Sequence, residues 1–532
     1  MDNHFTKALK EWQDVVGSVH ASIHPEELKT FQNTTFQTDQ KVLAVIKPGT
    51  REEVEKCVRV ANTYKIPLYP VSTGKNWGYG SGVPTGPNNV ILYLGRMNRI
   101  IDYHEDLAYV TVEPGVTQKD LYQYLIEQQS NLFMDVTGAS ESCSLIGNAV
   151  ERGFGHTPYG DHFSFVCGFE VVLPTGEVIQ TGLSHFRNAK ASPVYRWGVG
   201  PFLDGLFSQS NLGIVTRMTF WLMPKPEQFE AFYCRVDSEK KLALIIDQLR
   251  PLRLSGILRS AVHIGNDYKV LNTFQRYPWD ETNGQFPLKP QEMKKIAKKH
   301  KIGAWNVSGA LYGTRFDVIQ AKRKVSKALN GVGDKLVFLN DSKISFFQTC
   351  LKLIPWLRNS HLFRQLEILK PIYGLNLGIP TDTMMKSVYW RKKGDIENPM
   401  DPDRDRCGLI WLSAVAPLEG CHAQEIFQIT KDILLEFKFE PMISVTMITE
   451  RAMDFIISIV YDRDTPGQDL AAMNCHDKLL GYLTDEGYYP YRLGIQNMSK
   501  IKSHNPNYTD MLKKIKAVLD PNGIISPGRY EL

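Results

Sequence analysis

Two glycine-rich segments, each following a strand-like run, restrict the fold more than any other feature: PVSTGKNWGYGSG at 70–82 and TGASESCSLIGNAVERGFGHTPYGDHF at 137–163. Small residues let a backbone approach a flat or bulky group that a Cβ would hold away, and successive amides in such a loop can point inward as an anion-binding nest. The first segment is neither GxxxxGK[ST] nor GxGxxG, so the P-loop and the dinucleotide fingerprint do not apply. The two segments read as facing walls of a cofactor cleft. On the residues alone, a mobile surface loop and a pair of unrelated turns remain open readings.

The surrounding pattern predicts an α+β fold. Residues 1–40 read as two short helices with a polar end. VLAVIKP, REEVEKCVRVANTYK and IPLYPVS then form a β-α-β opening. NVILYL, YVTVEP and the hairpin FEVVLPTGEVIQTG follow, with TQKDLYQYLIEQ as a helix. From residue 226 the composition shifts to longer helices and to strands such as WNVSGALYG and FIISIVYD, which suggests an antiparallel sheet covered by helices. Residues 381–407 read as a long, polar surface loop. The tail reads as a helix ended by Asp520-Pro-Asn-Gly.

Composition removes several function classes. Of 532 residues, 43% are hydrophobic and 40 are glycine, enough for a large core. A net charge of +5 is too small for phosphate-driven nucleic-acid binding, and suits an anionic cofactor or substrate. The 8 cysteines contain no CxxC pair, and the histidines, His20, His24 and His300 among them, show no ligand spacing, so no metal is expected. The N-terminal residues form a polar amphipathic pattern rather than a signal peptide, and no run of 18 apolar residues occurs. The expectation is a soluble, cytoplasmic protein with no membrane and no nucleic-acid partner.

The segments PVSTGKNWGYGSG, IGNAVERGFGHTPYGDH, FEVVLPTGEVIQTG and GPFLDGLFSQSNLGIVTRMTF, with PYR at 490–492 and LDPNGIISPGR at 519–529, resemble the vanillyl-alcohol oxidase and p-cresol methylhydroxylase family. The resemblance runs in order from residue 40 to the end and is weakest between 226 and 480. It implies a two-domain flavoprotein: an FAD-binding domain over 1–225 (core 40–225), a cap over 226–485, and a return to the FAD domain over 486–532. By this resemblance the loop of Ser72, Thr73, Gly74, Lys75, Asn76, Gly78 and Tyr79 holds the FAD pyrophosphate. Gly138, Ser144, Gly147, Asn148, Gly153 and Gly155 lie along the flavin, and Gly213, Ile214 and Val215 hold the adenosine part. Tyr79, Tyr491 and Arg492 match residues that bind a para-substituted phenol as its phenolate. Arg529 matches an arginine near the flavin, where a fixed cation could meet the charge of the reduced ring.

The chain departs from the pattern in places. Where vanillyl-type oxidases carry an acid near the flavin, this chain has Gly138 or Ala139, with Glu141 out of register. Where they have a tyrosine before TPYGDH it has His156, a candidate proton shuttle or a hydrogen-bonded support residue. His162, Glu170 and Asp204 are read as structural. The stretch 400–417, where relatives tether FAD, has neither His nor Tyr; Leu409 stands at the histidine position and Lys75 replaces the tether of other branches. Non-covalent FAD is therefore expected, with a Cys407 thioether as the exception. The expected function is hydride transfer from a 4-alkylphenol or 4-hydroxybenzylic alcohol to FAD through a quinone methide, with oxygen or an electron carrier as acceptor and a homodimer as the family's precedent. The alternatives are a flavoenzyme acting on a 2-hydroxy acid, a lactone or a natural-product intermediate, and a non-catalytic flavin-binding protein.

Overall fold

The computed structural model describes residues 3–353 and 369–531. The β-α-β opening forms as the pattern predicts. Strands Val42–Ile46 and Leu68–Val71 both run parallel to Asn89–Tyr93, which lies between them, and Ala21–Ser22 adds antiparallel at the far edge. Helix Arg51–Tyr64 starts where the Thr50 hydroxyl accepts from the Glu53 amide. It buries Val54, Cys57, Val58, Val60 and Ala61. Helix Asn3–Val16 covers the same core with Ala8, Leu9, Trp12 and Val16, and the Trp12 indole donates to the Cys57 carbonyl at 3.0 Å. The C-terminal tail returns here: Leu68 donates to the Ile524 carbonyl at 2.7 Å, and Ser526 donates back to Leu68 at 2.9 Å.

A second, five-stranded antiparallel sheet is ordered Ile100–His104, Tyr109–Val112, Ile214–Trp221, Val166–Val172, Val178–Gln180. Its last hairpin turns at Gly176 (φ +79°), at the expected Thr-Gly step.

A seven-stranded antiparallel sheet takes strands from between 228 and 462. Period-2 alternation divides its two faces. Ile410, Leu412, Ala414, Phe455, Ile457 and Ile459 pack in one core with residues of helices Leu242–Leu254, Arg315–Leu329, Gly420–Glu436 and Gln468–Asp485. Leu409, Trp411, Ser413 and Ile456 face the other way, towards the glycine-rich segments.

The region 381–407 is not a surface loop over its whole length. A 3-10 helix spans Thr383–Tyr389, and Met385, Val388, Tyr389, Trp390 and Arg391 are buried. The polar composition hid a compact apolar cluster that packs with Trp77. The Arg391 charge is tolerated inside because Glu440 pairs with it at 2.9 Å. Among the described residues, no helix is long and apolar enough to cross a membrane.

Candidate active site

A cavity of about 730 Å³ lies between the two glycine-rich segments and the open face of the seven-stranded sheet. Ser72, Thr73, Gly74, Lys75, Asn76 and Tyr79 line it from the first segment, and Gly138, Ser144, Gly147, Asn148, Gly153 and His156 from the second. Gly213, Ile214, Val215, Tyr491, Arg492 and Arg529 complete the expected set. Gly78 and Gly155 do not line it. A Cβ on Gly78 (φ +75°) would sit 2.1 Å from the Trp411 ring, so this glycine lets the loop meet the sheet. On Gly155 it would run into the Asp135 carboxylate. Gly147 lines the cavity, but a Cβ there would run into the Ser72 hydroxyl, so this glycine lets the two segments come together.

The backbone N–H groups of Thr73, Gly74, Lys75 and Asn76 donate to no acceptor in the described chain. Four consecutive free donors beside the hydroxyls of Ser72 and Thr73 suit a pyrophosphate. Lys75 lines the cavity, but its ammonium is engaged by Asp401 at 3.2 Å. The residues present therefore fit FAD.

At the other end, three candidate side chains meet. The Arg492 guanidinium lies 4.0 Å over the Tyr79 ring, and the Tyr79 hydroxyl is hydrogen-bonded to Ser413 at 2.9 Å. Tyr491 packs against Phe154 with ring centroids 5.6 Å apart. Arg492 donates to the Asn76 side chain, and among the described residues its Nε has no partner and it forms no salt bridge. Burial opposes its charge, but the guanidinium stays protonated throughout the range in which Tyr491 and Tyr79 are neutral, and the Glu151 carboxylate favours its charge. Burial also raises both tyrosine hydroxyls, which therefore stay neutral donors.

Arg529 is placed differently. It contacts Tyr69 and forms an ion pair with Glu151, whose other oxygen accepts from Tyr530 at 2.8 Å. Burial would raise the Glu151 carboxyl, but Arg529 and Arg492 keep it below its usual range. A cation neutralised in this way is a weaker partner for reduced flavin than the sequence reading assumed.

His156 reaches the space left by the absent acid: its Cε1 lies 3.4 Å from where a Gly138 Cβ would be. Its Nδ1 is 3.2 Å from the Val136 carbonyl, so Nδ1 carries the proton and Nε2 is an acceptor. Burial lowers its pKa, against Asp135 and the Val136 carbonyl, leaving a neutral ring near pH 7. His162 does support structure, bonding Asn148 at 2.5 Å and Asp135. Glu170 accepts from Thr216 at 3.0 Å, away from the cavity.

Sequence reading missed three groups on the sheet face. His263 lies against His156, tilted at 35° with ring centroids 4.4 Å apart, and is bonded to Thr446 at 3.1 Å. The Lys269 ammonium is 3.1 Å from Ser458 and 4.8 Å over Trp411, with no carboxylate partner among the described residues, and desolvation lowers its pKa to about 8. Asp454 is fully buried with both carboxyl oxygens unpartnered. A lone Asp in the apolar run of 452–461 was the available signal.

The comparisons with known proteins agree with this geometry. A family model described as an FAD binding domain matches residues 42–182. The 1'-carboxy-chondrochloren decarboxylase of Chondromyces crocatus is 41% identical over 99% of this chain and 97% of its own length. The 4-cresol dehydrogenase [hydroxylating] flavoprotein subunit of Pseudomonas putida is 29% identical, covering 99% of this chain and 95% of the relative. The structure of 4-ethylphenol oxidase from Gulosibacter chungangensis, in complex with isoeugenol, superposes with a TM-score of 0.90 at 29% identity, covering 100% of this chain and 97% of the other. With free backbone donors at one end of the cleft and two tyrosines and an arginine at the other, this chain belongs to the p-cresol methylhydroxylase family of FAD-dependent oxidoreductases.

Proposed function

We propose that this enzyme oxidises a para-substituted phenol, a 4-alkylphenol or 4-hydroxybenzylic alcohol, at the carbon attached to the ring. One observation carries the reading: Arg492 is a buried cation with no carboxylate contact, set beside two neutral phenolic donors. Such a site favours an anion with two lone pairs to share. A free phenol has a pKa near 10, and bringing it to 7 needs about 4 kcal/mol. One desolvated guanidinium with two O–H donors supplies an effect of that size. Ionisation matters because loss of hydride from a phenolate leaves a neutral quinone methide instead of a cation. FAD, when bound, supplies the two-electron acceptor for that hydride. Tyr79, Tyr491 and Arg492 hold the oxygen end, and Nε2 of His156 is the acceptor for a proton from water or a benzylic hydroxyl. In this reading residues 1–225 and 486–532 hold FAD, and 226–485 cover the substrate.

Two names among the relatives, 4-cresol dehydrogenase and 4-ethylphenol oxidase, support a para-substituted phenol. A second reading follows from the decarboxylase relative and from Lys269. If the substrate bears a carboxylate one carbon beyond the benzylic position, the quinone methide is an electron sink. The C–CO₂ bond breaks, its electron pair becomes the side-chain double bond, and the ring regains its phenolate. The unpaired Lys269 ammonium is the candidate partner for that carboxylate before it leaves.

Flavin bleaching under anaerobic conditions distinguishes the readings. 4-Ethylphenol or 4-hydroxybenzyl alcohol should reduce the flavin and lactate should not; reduction by lactate alone would overturn the phenol reading. Release of CO₂ from 3-(4-hydroxyphenyl)propanoate, lost in Lys269→Met, selects the decarboxylating course.

The cofactor is held without a covalent bond in this proposal. Cys407 is buried outside the cavity, and burial pushes its thiol far above the usual range, away from the reactive thiolate. Acid precipitation should leave yellow flavin in the supernatant; flavin retained in the pellet contradicts this.

A further inference from the structure

Asp454 sits on strand Ala452–Asp462, directly opposite Thr446 on one side and Val415 on the other. It shares the face of Ile456, which lines the cavity. A carboxyl group this deep with both oxygens unpartnered is costly unless something turns on it.

Its surroundings are specific. The segment after Pro490, bridged to Ala414, brings Tyr491 and Arg492, and the first glycine-rich segment brings Tyr79. Thr446 and Val415 are uncharged; beyond Thr446 stands His263, whose Nδ1 is bonded to the Thr446 hydroxyl. Glu151 and Tyr530 also act on Arg492. Among the described residues, Arg492 is therefore the one cation that acts on the Asp454 carboxyl.

In a dry pocket one guanidinium cannot stabilise two anions at once. We propose that Asp454 and the bound phenolate share a single negative-charge position beside Arg492, the ionised carboxylate taking up the phenolic proton as the phenol enters. The phenol O–H bond breaks, an O–H bond forms on Asp454, and no electrons change hands. Arg492 exchanges one anion for the other, and the pocket keeps its net charge. Asp454 does not line the cavity and neither of its oxygens is bonded to Tyr79 or Tyr491, so in this proposal the proton crosses to it through a bridging water. It is a positioning and proton-holding residue. Burial raises its carboxyl well above the usual carboxylate range, Arg492 offsetting this only in part, which makes it a far better match to a phenol than an ordinary aspartate.

The inference rests on the phenolate reading and deepens it. The test uses FAD-loaded enzyme and 4-bromophenol, which has no benzylic hydrogen to lose. Calorimetry in two buffers of different ionisation enthalpy, from pH 6 to 9, gives affinity and protons released per phenol bound. A phenol bound as phenolate with no internal acceptor releases one proton and binds tenfold tighter per pH unit. In the native enzyme, affinity should level off and release fall towards zero once Asp454 is ionised. Asp454→Asn should release one proton throughout, with no plateau. Identical slopes in both proteins would overturn the proposal. So would one proton released by the native enzyme at every pH, which decides the matter even if the variant fails to load FAD. Binding of 4-bromoanisole as tight as that of 4-bromophenol would instead sink the phenolate reading itself.

Discussion

The two buried arginines of the cleft show what a neighbouring carboxylate does to a cation. Arg529 is paired with Glu151, and its charge is balanced before any ligand arrives. Arg492 has an amide oxygen, a tyrosine face and an unpartnered Nε. The first arrangement stabilises a fold, since breaking a buried pair strands its other member. The second leaves the cation without a direct carboxylate contact among the described residues, and so open to a bound anion. The lesson is that burial alone does not mark the functional arginine; the missing direct carboxylate contact does.

Separating the two variants makes the largest test. Arg492→Ala should lower flavin reduction by 4-hydroxybenzyl alcohol at least ~100-fold, the size of losing a positioned charge donor, with a small change in melting temperature. Arg529→Ala should do the reverse, costing roughly 3–5 kcal/mol of stability because Glu151 is left buried and unpaired. Urea denaturation should then recover in Arg529→Ala combined with Glu151→Gln. If Arg492→Ala were the less stable of the two, the distinction would be wrong.

The glycines sharpen the same contrast between structure and ligand. A side chain at Gly78 meets the Trp411 ring at a positive φ, so Gly78→Val should cost roughly 2–4 kcal/mol from strain and overpacking. Gly147→Val should push Ser72 into the cleft and lower the FAD content of purified protein more than it lowers stability. Full flavin occupancy in Gly147→Val would remove the pyrophosphate assignment.

Asp204 is a buried charge away from the cavity and gives the smallest effect. Burial raises its carboxyl to about 6, with Thr181 and Arg196 offsetting only part. An unfolded aspartate titrates near 3.9, so between these values the folded chain binds the extra proton. Stability should therefore fall as pH rises from about 4 through 6, by up to roughly 3 kcal/mol. Asp204→Asn should flatten that fall without altering flavin reduction. A variant that loses turnover would give Asp204 a role beyond burial.

The glycine-rich walls were legible because a backbone that must approach a cofactor restricts residue choice along a continuous stretch. Tyr79, Tyr491 and Arg492 were legible only through resemblance, since spacing alone does not bring residue 79 beside residue 492. The sheet face was not legible. His263, Lys269 and Asp454 stand singly in short or apolar segments, and only cross-strand pairing sets Asp454 opposite Thr446, whose hydroxyl holds His263. The buried run from Met385 to Arg391 was missed for a related reason. Its polar members hide in pairs such as Arg391 with Glu440, far apart in sequence.

The most direct test of the central claim compares 4-hydroxybenzyl alcohol with 4-methoxybenzyl alcohol in anaerobic stopped-flow with the native enzyme. The two differ by one methyl group and by whether the oxygen can ionise. If Arg492 and the two tyrosines act by stabilising a phenolate, the hydroxyl compound bleaches the flavin and the methoxy compound does not. Equal rates of bleaching would contradict phenolate activation at this site.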